Sequence, residues 1–293
     1  MKKLFKNIDG LNIECLVSAG KSNPVFIFHG NSSCAAAYAE LLDSPLGEQY
    51  QIIAVSFPGH GESNYYQQER DSLSIATLGE FTAKVVNAFA AKHYLLIGQS
   101  LGGHALLEAL HLHTNATGLC LISAPPFSLT TISKLFREDP TGGLLFANQL
   151  DDAAVENFAR AFIHNDNPVA KKQLQSHIRK THGKFREDLG KSLAQGLLED
   201  EIASLANANI PTWLLQGKED QFLNNDYYTA LLQQQLPIKL ISFEQCGHAI
   251  QWDATERFRQ TIASFILQYI PREQNANPLS AINGNTEEEL QHA

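Results

Sequence analysis

Short apolar runs alternate with longer amphipathic stretches along most of the chain. The apolar runs predict strands at 4–8, 11–17, 25–28, 51–57, 94–98, 118–123, 212–216 and 239–243. Apolar residues recurring at helical spacing predict helices at 35–42, 75–91, 101–113, 226–235 and 254–269. Asp9 and Gly10 separate the first two runs as a hairpin turn. Strands that alternate with helices are typical of an α/β fold, so we expect a mostly parallel sheet of eight strands with helices on both faces.

The alternation stops between Pro126 and Pro211, and this gap is too long for a simple connection. Its pattern predicts helices at 150–165, 168–182 and 185–198, so residues 127–209 are expected to form a helical cap domain. Residues 1–126 and 210–270 would form the core. Residues 271–293 are rich in Asn and Glu without an apolar period, which predicts a disordered C-terminal tail.

A serine lies between two glycines where the strand at 94–98 passes into a helix. The sequence there is GQSLG, at residues 98–102. A G-x-S-x-G pattern in a strand-turn-helix is typical of a nucleophile elbow, in which the serine occupies a strained turn and projects its hydroxyl. Ser100 is therefore the candidate nucleophile.

A serine hydroxyl needs a base, and the base needs an acid that orients it. Asp220 follows the strand at 212–216, and His248 follows the strand at 239–243 after a glycine. The order serine, acid, histidine is that of α/β-hydrolases. Glu219 and Asp226 are rival acids, and the other histidines are interpreted as packing or surface residues.

Acyl transfer places negative charge on the former carbonyl oxygen, which backbone N–H groups can stabilise. The strand at 25–28 runs into HGNSS at 29–33. Asn31 and Leu101 are the predicted oxyanion donors, one from this early loop and one following the nucleophile.

With these motifs, the chain resembles an α/β-hydrolase from residue 7 to about residue 269. Further similarity lies in FPGHGES at 57–63, GGH at 102–104, SAPP at 123–126 and CGHA at 246–249. Within that superfamily the chain looks most like the α/β-hydrolase-fold N-acyl-homoserine lactonases and their esterase relatives. It departs from many relatives in having Ser56 before the Pro-Gly-His-Gly turn and Gln99 in the elbow. Both departures bear on the substrate.

Several residues are candidates for contacts with substrate. His29 is expected to shape the pocket, as is His60, and Gln99 and Phe222 are expected to border it. Phe127 and Phe136, at the start of the cap, would offer an apolar surface to an acyl chain. An equal alternative for such residues is that they only pack the cap on the core.

Composition narrows the class of protein. The net charge is −9 and no basic cluster occurs, so nucleic-acid binding is not expected. Polar residues interrupt any signal-like apolar region after Met1, and no apolar stretch is long enough to span a membrane. The four cysteines have no metal-ligand spacing and are interpreted as reduced thiols, with Cys246 as a non-catalytic residue. No metal or cofactor is predicted, and a cytoplasmic enzyme is expected.

The sequence predicts a serine hydrolase that cleaves a small-molecule carboxylic ester or lactone. The resemblance implies an N-acyl-homoserine lactone hydrolase, which would quench signalling by acyl-homoserine lactones. The alternatives are a carboxylesterase acting on a small or carrier-bound acyl ester and, from another class, a cofactor-free dioxygenase or a non-catalytic ligand-binding relative. The oligomeric state is not predicted.

Overall fold

Eight strands form one sheet in the part of the chain that the computed structural model describes, which is residues 1–66, 73–138 and 140–270. The strand order is β1-β2-β4-β3-β5-β6-β7-β8. The predicted tail at 271–293 lies outside the described residues. The strands are β1 (Lys2–Ile8), β2 (Leu11–Val17), β3 (Val25–Phe28), β4 (Ile52–Val55), β5 (Tyr94–Gln99), β6 (Ala116–Ile122), β7 (Thr212–Gly217) and β8 (Ile238–Phe243).

The sheet begins with an antiparallel hairpin and continues as a parallel sheet. Asp9 and Gly10 both have positive φ, at 51° and 82°, as a two-residue hairpin turn requires. β2 pairs antiparallel with β4, and the remaining pairs are parallel. The predicted mostly parallel, eight-stranded α/β fold is confirmed. The carboxyl ends of β3 to β8 therefore share one edge, where ligands of such sheets bind.

Helices cover the sheet and fill the long gap between β6 and β7. The predicted helices occur with shifted ends, whereas the helices at Pro45–Gln49, Ile132–Leu135, Glu201–Ala208 and Ile250–Asp253 were not predicted. A capping box starts α3: the Ser74 hydroxyl accepts the Thr77 N–H and the Thr77 hydroxyl accepts the Ser74 N–H. The α-helices are α1 (Ala39–Leu42), α2 (Pro45–Gln49), α3 (Ile75–Ala88), α4 (Leu101–Glu108), α5 (Ile132–Leu135), α6 (Asp152–Phe162), α7 (Pro168–Lys180), α8 (Gly183–Ala194), α9 (Glu201–Ala208), α10 (Asn225–Leu232), α11 (Ile250–Asp253) and α12 (Thr255–Tyr269).

Residues 127–209, here called the helical insertion, share one hydrophobic core with the sheet. Phe158, Leu174 and Phe185 are buried in the same hydrophobic cluster as the central strands. The His182 N–H donates to the Gly59 carbonyl at 2.8 Å, which joins the insertion to the loop after β4. Among the helices of the described ranges, none is both long and apolar enough to cross a membrane.

Candidate active site

Ser100 lies at the sharp turn between β5 and α4. Its backbone has φ 48° and ψ −120°, a strained conformation for a residue with a side chain. A Cβ atom at Gly102 would lie 2.3 Å from the Phe28 carbonyl oxygen, so only glycine lets the turn approach β3 this closely. The sequence GQSLG therefore forms a strained strand-to-helix turn, and Ser100 is partly exposed there.

An acid and a base meet at the neighbouring strand ends. His248 Nδ1 lies 2.7 Å from Asp220 Oδ2. The other carboxylate oxygen, Oδ1, accepts the N–H groups of Phe222 at 2.8 Å and Leu223 at 3.2 Å. Because a carboxylate only accepts, Nδ1 of His248 donates and Nε2 is left as the basic nitrogen. Neither rival acid, Glu219 or Asp226, is the partner of His248, and both are exposed.

Backbone contacts fix the loop that carries His248. The Ser123 hydroxyl donates to the His248 carbonyl at 3.0 Å. Asp253 Oδ2 accepts the Gly247 N–H at 2.8 Å and the His164 N–H at 3.0 Å, and Oδ1 accepts the Asn165 N–H at 2.8 Å. Asp253 therefore joins the histidine loop to the segment between α6 and α7.

Two phenylalanine rings enclose the His248 imidazole. Phe162 and Phe222 contact it edge to face at centroid distances of 4.9 and 5.3 Å, and contact each other at 4.9 Å. This arrangement excludes water from one side of the base. Phe222 was predicted to border the site; Phe162 was not, because its position in α6 shows only that it belongs to an apolar helix face.

The structure brings Ser100 to the same strand edge as Asp220 and His248, although among the described residues no hydrogen bond joins the Ser100 hydroxyl to the imidazole. Catalytic hydrogen bonds are often long in ligand-free enzymes and shorten when substrate binds. Ser100, His248 and Asp220 are therefore the candidate nucleophile, base and orienting acid.

The predicted oxyanion donors lie on either side of Ser100. A Cβ at Gly30 would lie 3.2 Å from Ser100 Cβ, so the loop after β3 contacts the elbow. Leu101 is the first residue of α4, where backbone N–H groups have no acceptor inside the helix. The Asn31 side chain is already engaged, donating to the Leu145 carbonyl at 2.7 Å and accepting from Ser32 Oγ at 3.0 Å. This leaves the backbone N–H of Asn31 as its candidate donor.

The two predicted pocket histidines are buried between loops. His29 Nδ1 donates to the Gly30 carbonyl at 2.7 Å and Nε2 accepts the Phe57 N–H at 3.0 Å. Burial lowers the pKa of His29 to about 3. Burial also holds the pKa of His60 well below its ordinary value, and His60 Nε2 accepts the Ser32 N–H. Neither side chain has an open face toward Ser100, so both brace the loops as neutral imidazoles.

Three other predicted substrate contacts have different surroundings. Gln99 is buried, and its amide bonds to Tyr38 and Gln251 and to the His248 carbonyl, so it supports the histidine loop. The Phe127 ring packs on His104 at 5.1 Å and is buried. Phe136 is 49 % exposed, and its backbone pairs with Leu223. His29 and Gln99 thus have polar partners that are distant in sequence, and their contacts with substrate stay predictions.

Cys246 lies two residues from His248 but has the environment of an inert thiol. It is 2 % exposed, and burial raises its pKa to about 11. The thiolate is the reactive form, and this environment disfavours it.

A strained serine elbow beside a buried histidine–aspartate pair, at the carboxyl edge of a parallel sheet, defines the class of hydrolases with an α/β-hydrolase fold. The model of the alpha/beta hydrolase family matches residues 25–261. The chain therefore belongs to the alpha/beta hydrolase family and is a hydrolase, as the sequence resemblance implied.

Sequence relatives and solved structures differ in the reactions that their names describe. The 2-hydroxy-6-oxononadienedioate/2-hydroxy-6-oxononatrienedioate hydrolase of Cupriavidus pinatubonensis is 22% identical over 270 residues, covering 87% of this chain and 90% of the relative. The Escherichia coli hydrolase of the same name is 24% identical over 259 residues, covering 83% and 86%.

Among solved structures, the N-acyl homoserine lactonase AidH complexed with N-butanoyl homoserine has a TM-score of 0.82 at 22% identity, covering 91% of this chain and 96% of AidH. The meta-cleavage product hydrolase CumD from Pseudomonas fluorescens has a TM-score of 0.76 at 15% identity, covering 92% and 98%. At these identities the structural likeness establishes the fold alone.

Proposed function

We propose that the chain is a serine hydrolase that cleaves a carboxylic ester or lactone through an acyl-enzyme. The observation that carries the proposal is the 2.7 Å contact between His248 Nδ1 and Asp220 at the strand edge that also presents Ser100. Ser100, His248 and Asp220 are assigned as nucleophile, base and orienting acid.

In the acylation step, Ser100 Oγ attacks the carbonyl carbon of the substrate as His248 Nε2 takes the hydroxyl proton. The Asp220 carboxylate, which the Phe222 and Leu223 N–H groups hold in place, stabilises the imidazolium that forms. The negative charge that develops on the carbonyl oxygen is accepted by the backbone N–H groups of Asn31 and Leu101.

Collapse of the tetrahedral intermediate breaks the bond to the leaving oxygen, and His248 returns the proton to that oxygen. A water molecule then attacks the acyl-enzyme with His248 again as base, which releases the acid and restores Ser100. With a lactone, the leaving hydroxyl stays attached to the acyl group, so water must attack before the ring closes again.

The surroundings of His248 favour a substrate with an apolar acyl group. Phe162 and Phe222 supply aromatic surface beside the base. We therefore place the acyl chain along this surface and assign N-acyl-homoserine lactones and uncharged carboxylic esters as the substrate classes to test first. AidH, named as a lactonase, shares this fold, which is the reason for testing lactones, and Phe136 is retained as a candidate contact at the edge of the insertion.

Hydrolysis of a carbon–carbon bond is the second candidate, because the curated relatives carry the names of such hydrolases. Their substrate name specifies a ketone at carbon 6 and two carboxylates. Ser100, assisted by His248 and Asp220, would be the nucleophile for that ketone as well. A dianion, however, needs cationic or N–H partners along its length, and the rings of Phe162 and Phe222 beside His248 supply neither. The lactone or ester assignment therefore comes first.

Initial rates on a panel of substrates test the proposal. The panel contains p-nitrophenyl esters from acetate to decanoate, N-hexanoyl homoserine lactone and a 2-hydroxy-6-oxo-dienedioate, each with wild type, Ser100→Ala and Ser204→Ala. We expect lactone or ester cleavage that Ser100→Ala lowers by about 10³-fold or more. Ser204, whose hydroxyl bonds to Leu107 on α4, is a matched control expected to stay near wild type.

The panel also separates the alternatives. Preferred cleavage of the dienedioate would replace the proposal with the carbon–carbon reaction, and ester cleavage without lactone opening would assign a carboxylesterase. Full activity in Ser100→Ala would rule out Ser100 as the nucleophile. If no substrate is hydrolysed but oxygen is consumed with a quinolone, a cofactor-free dioxygenase is favoured. If substrates bind and none is converted, a non-catalytic ligand-binding protein is favoured.

A further inference from the structure

A buried cation in the helical insertion forms no ion pair with any acid of the described ranges. Arg186, on α8, is 4 % exposed. Its Nε donates to the Ala147 carbonyl at 2.7 Å, Nη1 to the Ile178 carbonyl and Ser32 Oγ at 3.3 and 3.4 Å, and Nη2 to the Asn148 carbonyl at 3.3 Å. All of these acceptors are neutral oxygens.

Burying a guanidinium without a carboxylate is costly, because hydrogen bonds to carbonyls only partly replace its hydration. The burial lowers the pKa of Arg186 below its ordinary value. Within the described ranges, no Asp or Glu forms an ion pair with it. Among the residues that the structure describes, only neutral oxygens surround this positive charge.

Two routes connect Arg186 to the loop that carries the candidate oxyanion donor. In the direct route, Arg186 contacts Ser32 Oγ, which itself donates to Asn31 Oδ1 at 3.0 Å. Ser32 has φ 58°, so the loop turns sharply between these contacts.

The second route runs through the chain segment 145–148. Arg186 holds the carbonyls of Ala147 and Asn148, and the Leu145 carbonyl of the same segment accepts the Asn31 side-chain amide at 2.7 Å. The Asn31 side chain thus donates to Leu145 and accepts from Ser32. Arg186 in turn bonds to Ser32 and to the carbonyls two and three residues after Leu145.

We propose that Arg186 is a positioning residue for the oxyanion hole, which couples the helical insertion to the Asn31 loop and places a positive charge behind the developing oxyanion. The proposal rests on the function proposed above. The guanidinium would then interact with the negative charge that forms on the substrate's carbonyl oxygen only in the transition state. A positive charge that stabilises the transition state more than the ground state accelerates the reaction. A high kcat then also requires that the helical insertion is packed against the Asn31 loop.

A purely structural role for Arg186 would lower thermal stability and leave the chemistry of the folded enzyme unchanged. The experiment therefore measures kcat and KM separately, well below the melting temperature of every variant, on whichever ester or lactone wild type cleaves. The variants are Arg186→Gln, Arg186→Lys, Ser32→Ala and the double variant of Arg186→Gln with Ser32→Ala. The rate of Ser100 labelling by a fluorophosphonate, whose phosphoryl oxygen occupies the oxyanion hole, is measured in parallel.

The matched control is Tyr65→Phe. It removes the hydrogen bond from Tyr65 to Asp188, another contact between α8 and the core, at 3.0 Å, without touching the Asn31 loop. We expect kcat in this variant to stay within about twofold of wild type, as for a surface contact outside the site.

For Arg186→Gln we expect kcat and the labelling rate to fall by about 10- to 100-fold with KM nearly unchanged, since loss of one oxyanion donor costs about 10²- to 10³-fold and displacement costs less. Arg186→Lys should recover part of the loss. Ser32→Ala should lower kcat less, and the double variant should be no slower than Arg186→Gln alone because the two residues act on one loop.

Equal kcat in Arg186→Gln and wild type would overturn the proposal, as would an equal loss in Tyr65→Phe. If Arg186→Gln does not fold, unchanged kcat in both Arg186→Lys and Ser32→Ala would overturn it. An inactive wild type that a fluorophosphonate does not label at Ser100 would instead contradict the proposed function on which this inference rests.

Discussion

Two buried histidine–carboxylate pairs lie within the molecule, and they are nearly alike in chemistry. His248 Nδ1 is 2.7 Å from Asp220, and His104 Nδ1 is 3.0 Å from both oxygens of Glu201. Both carboxylates also accept backbone N–H groups, and both pairs are shielded from solvent. A histidine held by a buried acid is therefore not sufficient to identify a catalytic base.

Position in the fold distinguishes the two pairs. His248 and Asp220 follow adjacent parallel strands and share an edge with Ser100, whereas His104 and Glu201 join helix α4 to helix α9. Phe127 covers the His104 ring and donates its N–H to Glu201. We therefore assign the candidate base by its place at the strand edge rather than by its contact with a carboxylate.

The largest effect is expected from making the same neutral substitution in each pair. Asp220→Asn should lower kcat by about 10⁴-fold, because the amide no longer selects the tautomer of His248 or stabilises its cation. Glu201→Gln should leave kcat within a few-fold of wild type and reduce the free energy of unfolding by about 1–3 kcal/mol. Steady-state kinetics and urea unfolding on both variants measure the contrast.

A drop in kcat in Glu201→Gln as large as that in Asp220→Asn would contradict the division between the pairs. Circular dichroism of each variant verifies that a loss of rate is not a loss of fold.

An intermediate effect is expected at Asp253, which holds the His248 loop against the insertion. Asp253→Ala removes the acceptor for Gly247, His164 and Asn165, so the base loses its fixed placement. We expect kcat to fall by about 10-fold or more, since small displacements of catalytic groups cost up to 10²-fold. The control is Asp166→Ala. Asp166 is an exposed acid in the neighbouring segment, and its one ion pair within the described ranges is with Lys171. Equal rates in the two variants would show that the loop needs no such support.

The smallest effect concerns Glu108, one helical turn beyond His104. Both of its carboxylate oxygens are buried and lack hydrogen-bond partners in the described part of the chain. Burial, with a smaller contribution from the Glu201 carboxylate, raises the pKa of Glu108 from 4.5 to about 8. Between these two pH values the folded protein keeps a proton on Glu108 that the unfolded chain has released. The free energy of unfolding therefore falls as the pH rises from about 4.5 to about 8.

Glu108→Gln is neutral at every pH and removes that dependence. We expect the melting temperature of the variant to exceed that of wild type by an amount that grows between pH 5 and pH 8, with about 2–4 °C for each kcal/mol. Differential scanning calorimetry at several pH values measures it. A constant or shrinking difference would contradict the assigned protonation of Glu108.

The sequence predicts the elements whose signals are local. The apolar runs place the strands of the described ranges within a few residues of their observed ends. The signal is strongest for β3, β4, β5 and β7, because buried parallel strands are continuously apolar. The G-x-S-x-G pattern at Ser100 marks a strained turn because glycine is required beside it. The order of Asp220 and His248 after successive strands then places them at one edge, because parallel strands share their direction.

Contacts across the insertion could not be predicted in this way. Phe162, Asp253 and Arg186 approach the site only because α6 and α8 pack on particular loops, and helical periodicity gives a buried face without its partner. The hydrogen bonds of His29 and Gln99 to other loops could not be predicted for a related reason. A polar residue after a strand faces either the site or another loop, and only its tertiary hydrogen bonds decide which.

Covalent labelling of the nucleophile is the most direct test of the central claim. Wild type, Ser100→Ala, Asp220→Asn and Glu201→Gln are treated with a fluorophosphonate, and the adduct is located by peptide mass spectrometry. We expect one adduct, on Ser100, that forms at similar rates in wild type and Glu201→Gln, much more slowly in Asp220→Asn, and not at all in Ser100→Ala. An adduct on another residue, or equal labelling in wild type and Asp220→Asn, would contradict it.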